Sequence, residues 1–238
     1  MPDIALRFNK DMLVLSTPID YQLKSQGFTN PGDREYVALC ESDLIEEVYK
    51  VEKLMDTPCL VTATEGITRA RLAYSRFEKQ AEDMARIAYE VGSSFTPQHL
   101  IAAVGPTGLP LDTSISSSVK QSIQQYRDAT EVLMRYPFDA LYFSNFSSLA
   151  DAECALRGAR EVFEGPLMIS LAVSDESDFS TDETFALGVE NLRLGWKNVM
   201  NLELMLLGWC QLLNLSGWCI FLLSCEKQPI NLFYVKCT

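Results

Sequence analysis

The sequence predicts an α/β fold of the (βα)8 (TIM) barrel type, with about five βα units followed by an atypical hydrophobic tail. Three observations predict it. Short apolar runs recur along the chain, amphipathic helical patterns separate them, and the runs are largely free of charge, as strands covered on both faces are. The 238 residues, with 47% hydrophobic and 22% charged residues, fit one large globular domain.

The predicted elements alternate strictly between strand and helix. The strands are 12–15, 59–62, 100–104, 140–143 and 167–173, and the helices are 41–54, 68–91, 118–135, 149–163 and 181–193. Ser148 and Ser180 precede the last two helices, and each has an acid three residues later, Asp151 and Glu183. This spacing is typical of a capping box at a helix start. The competing architecture, an open dinucleotide-binding sheet, is disfavoured because no GxGxxG follows the first run.

Charge and composition divide the chain near Leu194. The net charge of −12 disfavours a nucleic-acid-binding protein, which would need a basic surface. Residues 194–238 contain only three lysines and two glutamates among many leucines. We therefore predict a barrel portion at 1–193 and a separate tail at 194–238. The apolar run 202–223 has the length of a membrane span, but Glu203, Gln211 and Asn214 within it make that interpretation the weaker one.

Cysteine and histidine usage limits the chemistry. Seven cysteines occur without a CxxC pair, and the N-terminus lacks the apolar core of a secretory signal. We therefore predict a reducing, cytoplasmic location and mostly buried free thiols. His99, the single histidine, precedes the third strand at its stability-side end, which argues against histidine acid–base or triad chemistry.

Four motifs, in order and at plausible spacing, resemble the homocysteine S-methyltransferase family. They are TATEGITRARLA at 62–73, VGPTG at 104–108, FDALYFSNFSSLADA at 138–152 and GPLMISL at 165–171. The resemblance covers residues 12–193 and implies a (βα)8 barrel that transfers a methyl group to a thiol such as homocysteine. In this family a zinc ion binds the thiol and lowers its pKa, because a free thiol is mostly protonated at neutral pH.

The resemblance also implies partners. The methyl donor in the family is methylcobalamin, S-methylmethionine, S-adenosylmethionine or betaine, so a corrinoid protein or domain is one expected partner beside the thiol substrate. The sequence does not select among these donors. No nucleic-acid partner is expected, and a membrane association is disfavoured.

Substrate contacts are expected at the C-terminal ends of the strands, where barrel enzymes place their sites. The matching positions are Ser16, Asp20, Thr62, Thr64, Glu65, Gly105, Ser144 and Asn145. Asp20 is either a substrate contact or a loop or capping acid, and Glu65 is either a ligand contact or a solvated loop acid. No catalytic residue is assigned.

Several of these positions depart from the family pattern. The acid of the strand-one motif is replaced by Ser16, and the asparagine of the strand-two motif by Ala63. The strand-four glutamate, which should bind the amino group, is Ser144, and the neighbouring Asn145 can form hydrogen bonds but supplies no charge. These changes indicate an altered or lost ligand.

The zinc cysteines of the family are also missing. The family carries an N-C pair after strand six and a G-G-C-C run after strand eight, and neither occurs here. The tail cysteines Cys210, Cys219 and Cys225 are spaced by nine and six residues, and buried or reactive thiols are the simpler interpretation. We therefore predict no zinc ligand set in this chain.

Two further hypotheses concern the tail and the activity. The codons possible for residues 203–208, shifted by one base, can spell Gly-Ala-Asp-Val-Val-Gly, which matches the G-A-D-x-V-G of strand six in the family. The tail is therefore interpreted as a possible frameshift product. Three functions remain open: a methyltransferase acting on homocysteine or a similar thiol, a catalytically inactive barrel that binds a small molecule or a partner, and a truncated product with exposed strand edges.

Overall fold

The computed structural model describes residues 4, 7, 13–30, 32–171, 205–206, 218–223 and 231–236. Three helices come first: α1 (Ile19–Ser25), α2 (Asp33–Cys40) and α3 (Ser42–Leu54). The alternating part follows as β1 (Cys59–Val61), α4 (Arg69–Tyr74), α5 (Ala81–Ser94), β2 (His99–Val104), α6 (Ser116–Leu133), β3 (Ala140–Phe146), α7 (Leu149–Arg160) and β4 (Leu167–Leu171). The last described elements are β5 (Met205–Leu206), β6 (Trp218–Leu223) and β7 (Asn231–Lys236).

The central sheet is parallel and its strands lie in chain order. β1 pairs with β2, β2 with β3, β3 with β4 and β4 with β5, all in parallel. The first predicted run joins the same sheet through a parallel bridge between Leu15 and Cys59. Consecutive parallel neighbours linked by helices are the arrangement of a βα barrel, so the predicted fold class is confirmed.

Both faces of the sheet are buried, as the charge-free runs predict. On the helix-covered face, Leu60, Leu100, Leu141 and Leu167 belong to the main core. The alternate positions form a second core on the other face; they are Cys59, Val61, Ile101, Ala103, Ala140, Tyr142 and Met168. Burying each large apolar side chain contributes about 1.5–3 kcal/mol. The two faces together therefore fix the register of the strands.

The helix predicted at 68–91 is wrong as one element, because the chain forms α4 and α5 with a break between them. Arg76 adopts a left-handed conformation with φ of 64°, and the N–H of Phe77 donates to the carbonyl of Leu72 at 2.7 Å. These bonds satisfy the carbonyl groups at the end of α4. Phe77 then packs against the main core, which a straight helix would not require.

The predicted capping box at Ser148 is half formed. The Ser148 hydroxyl accepts a hydrogen bond from the N–H of Asp151 at 3.4 Å, so it caps α7. The Asp151 carboxylate does not complete the box; it accepts instead from the Tyr126 hydroxyl at 2.9 Å and the Ser122 hydroxyl at 3.1 Å. It therefore ties α7 to α6. The helix predicted at 181–193 lies outside the described residues.

The described parts of the tail are short strands. β5 pairs in parallel with β4, and β6 pairs with β7 in an antiparallel ladder. The run 202–223 thus contains β5 and β6, and the proposed boundary at 193/194 lies outside the described residues. Within the described ranges, no helix is long and apolar enough to cross a membrane.

Candidate functional site

A cavity opens at the C-terminal ends of the first strands, where the family resemblance places the substrate. The space between its walls is about 680 Å³ when the solvent at its open mouth is included. Its walls come from the segment after the first run, the end of β1, the end of β3, one residue of β4 and α2. The lining residues are Leu15, Ser16, Thr17, Pro18, Ile19, Asp20, Arg34, Val61, Thr62, Ala63, Glu65, Tyr142, Ser144, Asn145 and Ser170.

Six of the eight positions expected from the sequence meet in this cavity. They are Ser16, Asp20, Thr62, Glu65, Ser144 and Asn145. Thr64 and Gly105 do not line it. The Thr64 hydroxyl donates to the carbonyl of Ala103 at 2.7 Å and so links β1 to β2. The N–H of Gly105 donates to the carbonyl of Glu65 at 2.8 Å.

Gly105 suits its position because a larger residue would crowd the loop that carries Glu65. A Cβ atom there would stand 3.0 Å from the Glu65 carbonyl oxygen. Thr64 and Gly105 therefore support the loop from behind, whereas Glu65 itself faces the cavity. Thr64 and Gly105 thus stabilise the loop that carries Glu65, and a direct substrate contact by either residue stays a prediction.

An ion cluster occupies one wall of the cavity, and its centre is Arg34, which the sequence analysis did not single out. The Arg34 guanidinium pairs with Asp20 at 3.0 Å, with Glu65 at short range and with Glu35 at 3.4 Å. Burial works against the charged guanidinium, but the three carboxylates outweigh it and raise the pKa of Arg34. Arg34 is therefore a permanent cation in the cavity wall.

Glu65 is a cavity acid and not a solvated loop acid. Only 20% of its side chain is exposed, and burial raises its pKa even though the Arg34 charge acts in the opposite direction. The nearby Asp20 carboxylate raises the pKa further, because two negative charges repel at close range. Asp20 lies in the first turn of α1 and is 31% exposed, so it reaches both Arg34 and the cavity.

Glu35 anchors Arg34 from below the cavity. Its side chain is 1% exposed, pairs with Arg71 at 3.4 Å and accepts a hydrogen bond from the Ser75 hydroxyl at 3.2 Å. Gly66 makes this possible, because a Cβ atom at that position would lie 2.1 Å from a Glu35 carboxylate oxygen. The glycine of the strand-two motif is thus required by a buried acid that lies 31 residues earlier.

Two serines replace acids of the family pattern, and they differ in their surroundings. Ser16 is buried, and its hydroxyl accepts the N–H of Val61 at 2.9 Å, so it joins the first run to β1. Ser144 is 4% exposed and lines the cavity together with Glu65. Its hydroxyl makes no hydrogen bond of ordinary geometry within the described part of the chain. Such a buried hydroxyl is costly unless a ligand satisfies it.

Asn145 stands at an irregularity in β3. Its φ is 67°, a left-handed conformation that asparagine tolerates better than most residues, and the register shifts between Phe143 and Phe146. The Asn145 N–H donates to the Ser170 hydroxyl at 2.9 Å, and the Tyr142 hydroxyl donates to the same oxygen at 2.8 Å. The bulge thus places Asn145 in the cavity wall next to Ser144.

The described residues do not fit a zinc site. Among them, no three His, Cys, Asp or Glu side chains converge on a point where a metal ion could bind. Cys59 and Cys154 are buried free thiols and Cys40 is exposed, whereas the side chains of the tail cysteines lie outside the described part. His99 is buried at the start of β2, beside Arg7 and Asp139, at the opposite end of the strand from the cavity.

Comparison with known proteins gives a match to a family model and matches to solved structures. The family model described as homocysteine S-methyltransferase matches residues 15–200. The oxidised form of homocysteine methyltransferase MmuM from Escherichia coli is 13% identical, with a TM-score of 0.63 over 89% of this chain and 87% of that chain. Its apo form is 18% identical, with a TM-score of 0.52 over 74% of this chain and 65% of that chain.

These matches establish the fold and limit what can be transferred. The chain spans 65% of the length of the apo enzyme. No curated protein sequence gives a significant match. At 13% and 18% identity the likeness to the solved structures concerns the fold alone.

Proposed function

Because the chain belongs to the homocysteine S-methyltransferase family, we propose that its cavity binds homocysteine or a similar small amino thiol and presents the thiol for methyl transfer. One observation carries the proposal: Asp20, Glu65 and Ser144 line a single cavity at the strand ends, although they lie far apart in sequence. The half-buried carboxylates of Asp20 and Glu65 favour an ammonium group, and the Ser144 hydroxyl, which has no hydrogen-bond partner of ordinary geometry among the described residues, suits the same ligand.

The charge pattern supports an amino-acid-like ligand over a neutral one. A carboxylate in a poorly solvated cavity attracts a cation more strongly than one in water, because the intervening medium screens less. The strand-four glutamate of the family is absent, but Asp20 and Glu65 supply negative charge to the same cavity from the segments that follow the first run and β1.

Calorimetric titration of the whole chain with reduced L-homocysteine tests the proposal. We expect saturable binding, weakened at least tenfold by Asp20→Asn because an ammonium contact is lost. The matched control is Asp83→Asn, which removes an exposed acid of α5 that pairs with Arg86 and does not line the cavity. This variant should leave the affinity within twofold. No heat of binding, or equal affinity in both variants, would contradict the proposal.

A second candidate is a binding protein without methyl-transfer activity. The observation that favours it is that Ser144, which supplies no charge, stands where the family pattern has the glutamate that binds the amino group. Elemental analysis and a methyl-transfer assay separate the two candidates. We expect less than 0.1 zinc per chain after purification without chelators, and finding one zinc per chain would overturn that expectation and favour the transferase.

A further inference from the structure

Arg34 has hydrogen-bonding capacity that its ion pairs do not use. Its side chain is 17% exposed and lines the cavity. The Nη1 atom of Arg34 donates to Asp20 and Glu65, and its Nη2 atom donates to Glu35 at the long distance of 3.4 Å. The Nε atom is buried and has no acceptor among the described residues. A guanidinium with an unused N–H can donate a hydrogen bond to a further carboxylate oxygen.

The charges around Arg34 define which ligands the cavity tolerates. Asp20, Glu35 and Glu65 supply three negative charges, and Arg34 and Arg71 supply two positive ones. A ligand that brings only a carboxylate increases the negative excess and should be rejected. A ligand that brings an ammonium and a carboxylate leaves the balance unchanged. A simple amine would also satisfy the charges, but only the carboxylate of the zwitterion gives the Arg34 Nε–H its missing acceptor.

Resting on the proposed function, we infer that Arg34 is the residue that selects for the α-carboxylate of the amino thiol. The ammonium group faces Asp20 and Glu65, and the carboxylate accepts from the Arg34 guanidinium. Because the buried Glu35 carboxylate pairs with the guanidinium, the donors of Arg34 are held in place before the ligand arrives. The cavity is thus specific for a zwitterion and not for amines in general.

Three ligands with the same thiol arm test this inference by calorimetry. L-homocysteine carries both charges, 3-mercaptopropylamine lacks the carboxylate, and 4-mercaptobutyrate lacks the ammonium. We expect homocysteine to bind at least tenfold more tightly than the amine, and the acid to show no measurable binding. If none of the three binds, the proposed function fails. If homocysteine and the amine bind equally, only the role of Arg34 fails.

The Arg34→Lys variant keeps the charge but loses the planar fork of donors. We expect it to bind homocysteine at least tenfold more weakly while its affinity for 3-mercaptopropylamine stays within twofold. The control, Arg71→Lys, changes the other arginine on Glu35, which does not line the cavity, and should alter neither affinity by more than twofold. Equal weakening of both ligands by Arg34→Lys would indicate a merely structural role and would overturn the inference. If that variant does not fold, the comparison of ligands on the unaltered chain still decides.

Discussion

Replacing Gly66 by alanine should destabilise the protein through the buried acid Glu35. The added Cβ atom would lie 2.1 Å from a Glu35 carboxylate oxygen, 2.5 Å from Cγ and 2.6 Å from Cδ. Ordinary contacts of this kind are longer by an ångström or more, so the whole carboxyl end must move. Because Glu35 contacts both Arg34 and Arg71 at 3.4 Å, such a movement separates both ion pairs.

The magnitude follows from the burial of Glu35. Breaking a buried ion pair costs about 3–5 kcal/mol. The lower end applies here because the two arginines, 17% and 29% exposed, keep some contact with water. Alanine also reduces the freedom of the unfolded chain, which offsets the cost by about 0.4–1 kcal/mol. We therefore expect Gly66→Ala to lower the free energy of unfolding by roughly 2–3 kcal/mol.

A double-mutant cycle with Glu35→Ala isolates the cause. Urea unfolding followed by circular dichroism gives the free energy of unfolding for the original chain, both single variants and the double variant. In the Glu35→Ala background the clash is gone, so Gly66→Ala should be neutral or slightly stabilising. An equal cost of Gly66→Ala in both backgrounds would refute the reasoning, because the alanine would then clash with something other than Glu35.

Three other predictions concern buried groups. Tyr126→Phe removes the hydroxyl that donates to Asp151 at 2.9 Å. Urea unfolding should show that the free energy of unfolding falls by about 1–3 kcal/mol. An unchanged free energy of unfolding would count against this hydrogen bond. Burial raises the pKa of Glu65 above its ordinary value of 4.5. The protonated Glu65 carboxyl therefore stabilises the folded chain below pH 4.5, and this stabilisation is lost as the pH rises through the raised pKa. Glu65→Gln should therefore gain stability relative to the original chain as the pH rises above 4.5, and a difference that does not vary with pH would contradict the shift. Burial also raises the pKa of the Cys59 thiol to about 11, whereas Cys40 is exposed. Brief maleimide labelling, measured by peptide mass spectrometry, should therefore modify Cys40 at least tenfold faster than Cys59. Similar labelling rates would contradict the burial of Cys59.

The strands could be predicted from the sequence because their signal is local. The runs at 59, 100, 140 and 167 are continuous and apolar since both faces of a parallel sheet are covered, and the structure places strands at each of them. The first run is represented only by the bridge at Leu15. The order of the strands in the sheet could also be predicted, because consecutive βα units normally place their strands side by side.

The break between α4 and α5 could not be predicted from periodicity. Phe77 lies four residues after Ala73 and four before Ala81, a helical spacing that suggests one continuous element. The left-handed Arg76 carries no glycine or proline signal, so the interruption is visible only once the hydrogen bond from Phe77 to Leu72 is seen. Tertiary packing determined this break, and local propensity did not.

The composition of the site was only partly predictable. Six cavity positions followed from the motif resemblance, since motif residues at strand ends meet at one edge of a barrel. Arg34 and Glu35 were missed because α2 lies outside the motifs and joins the site only through partners 14 to 40 residues away. The one available signal, the charged run Asp33-Arg34-Glu35 at the start of a helix, is equally typical of an exposed helix end.

The most direct test of the amino-thiol site is to locate the ligand atom itself. Crystals of the chain grown with L-selenohomocysteine, measured at the selenium absorption edge, should show one anomalous peak inside the cavity formed by Asp20, Arg34, Glu65 and Ser144. The ligand's ammonium group should lie within hydrogen-bond distance of Asp20 or Glu65. A selenium peak elsewhere on the chain, or an empty cavity at saturating ligand, would contradict the account.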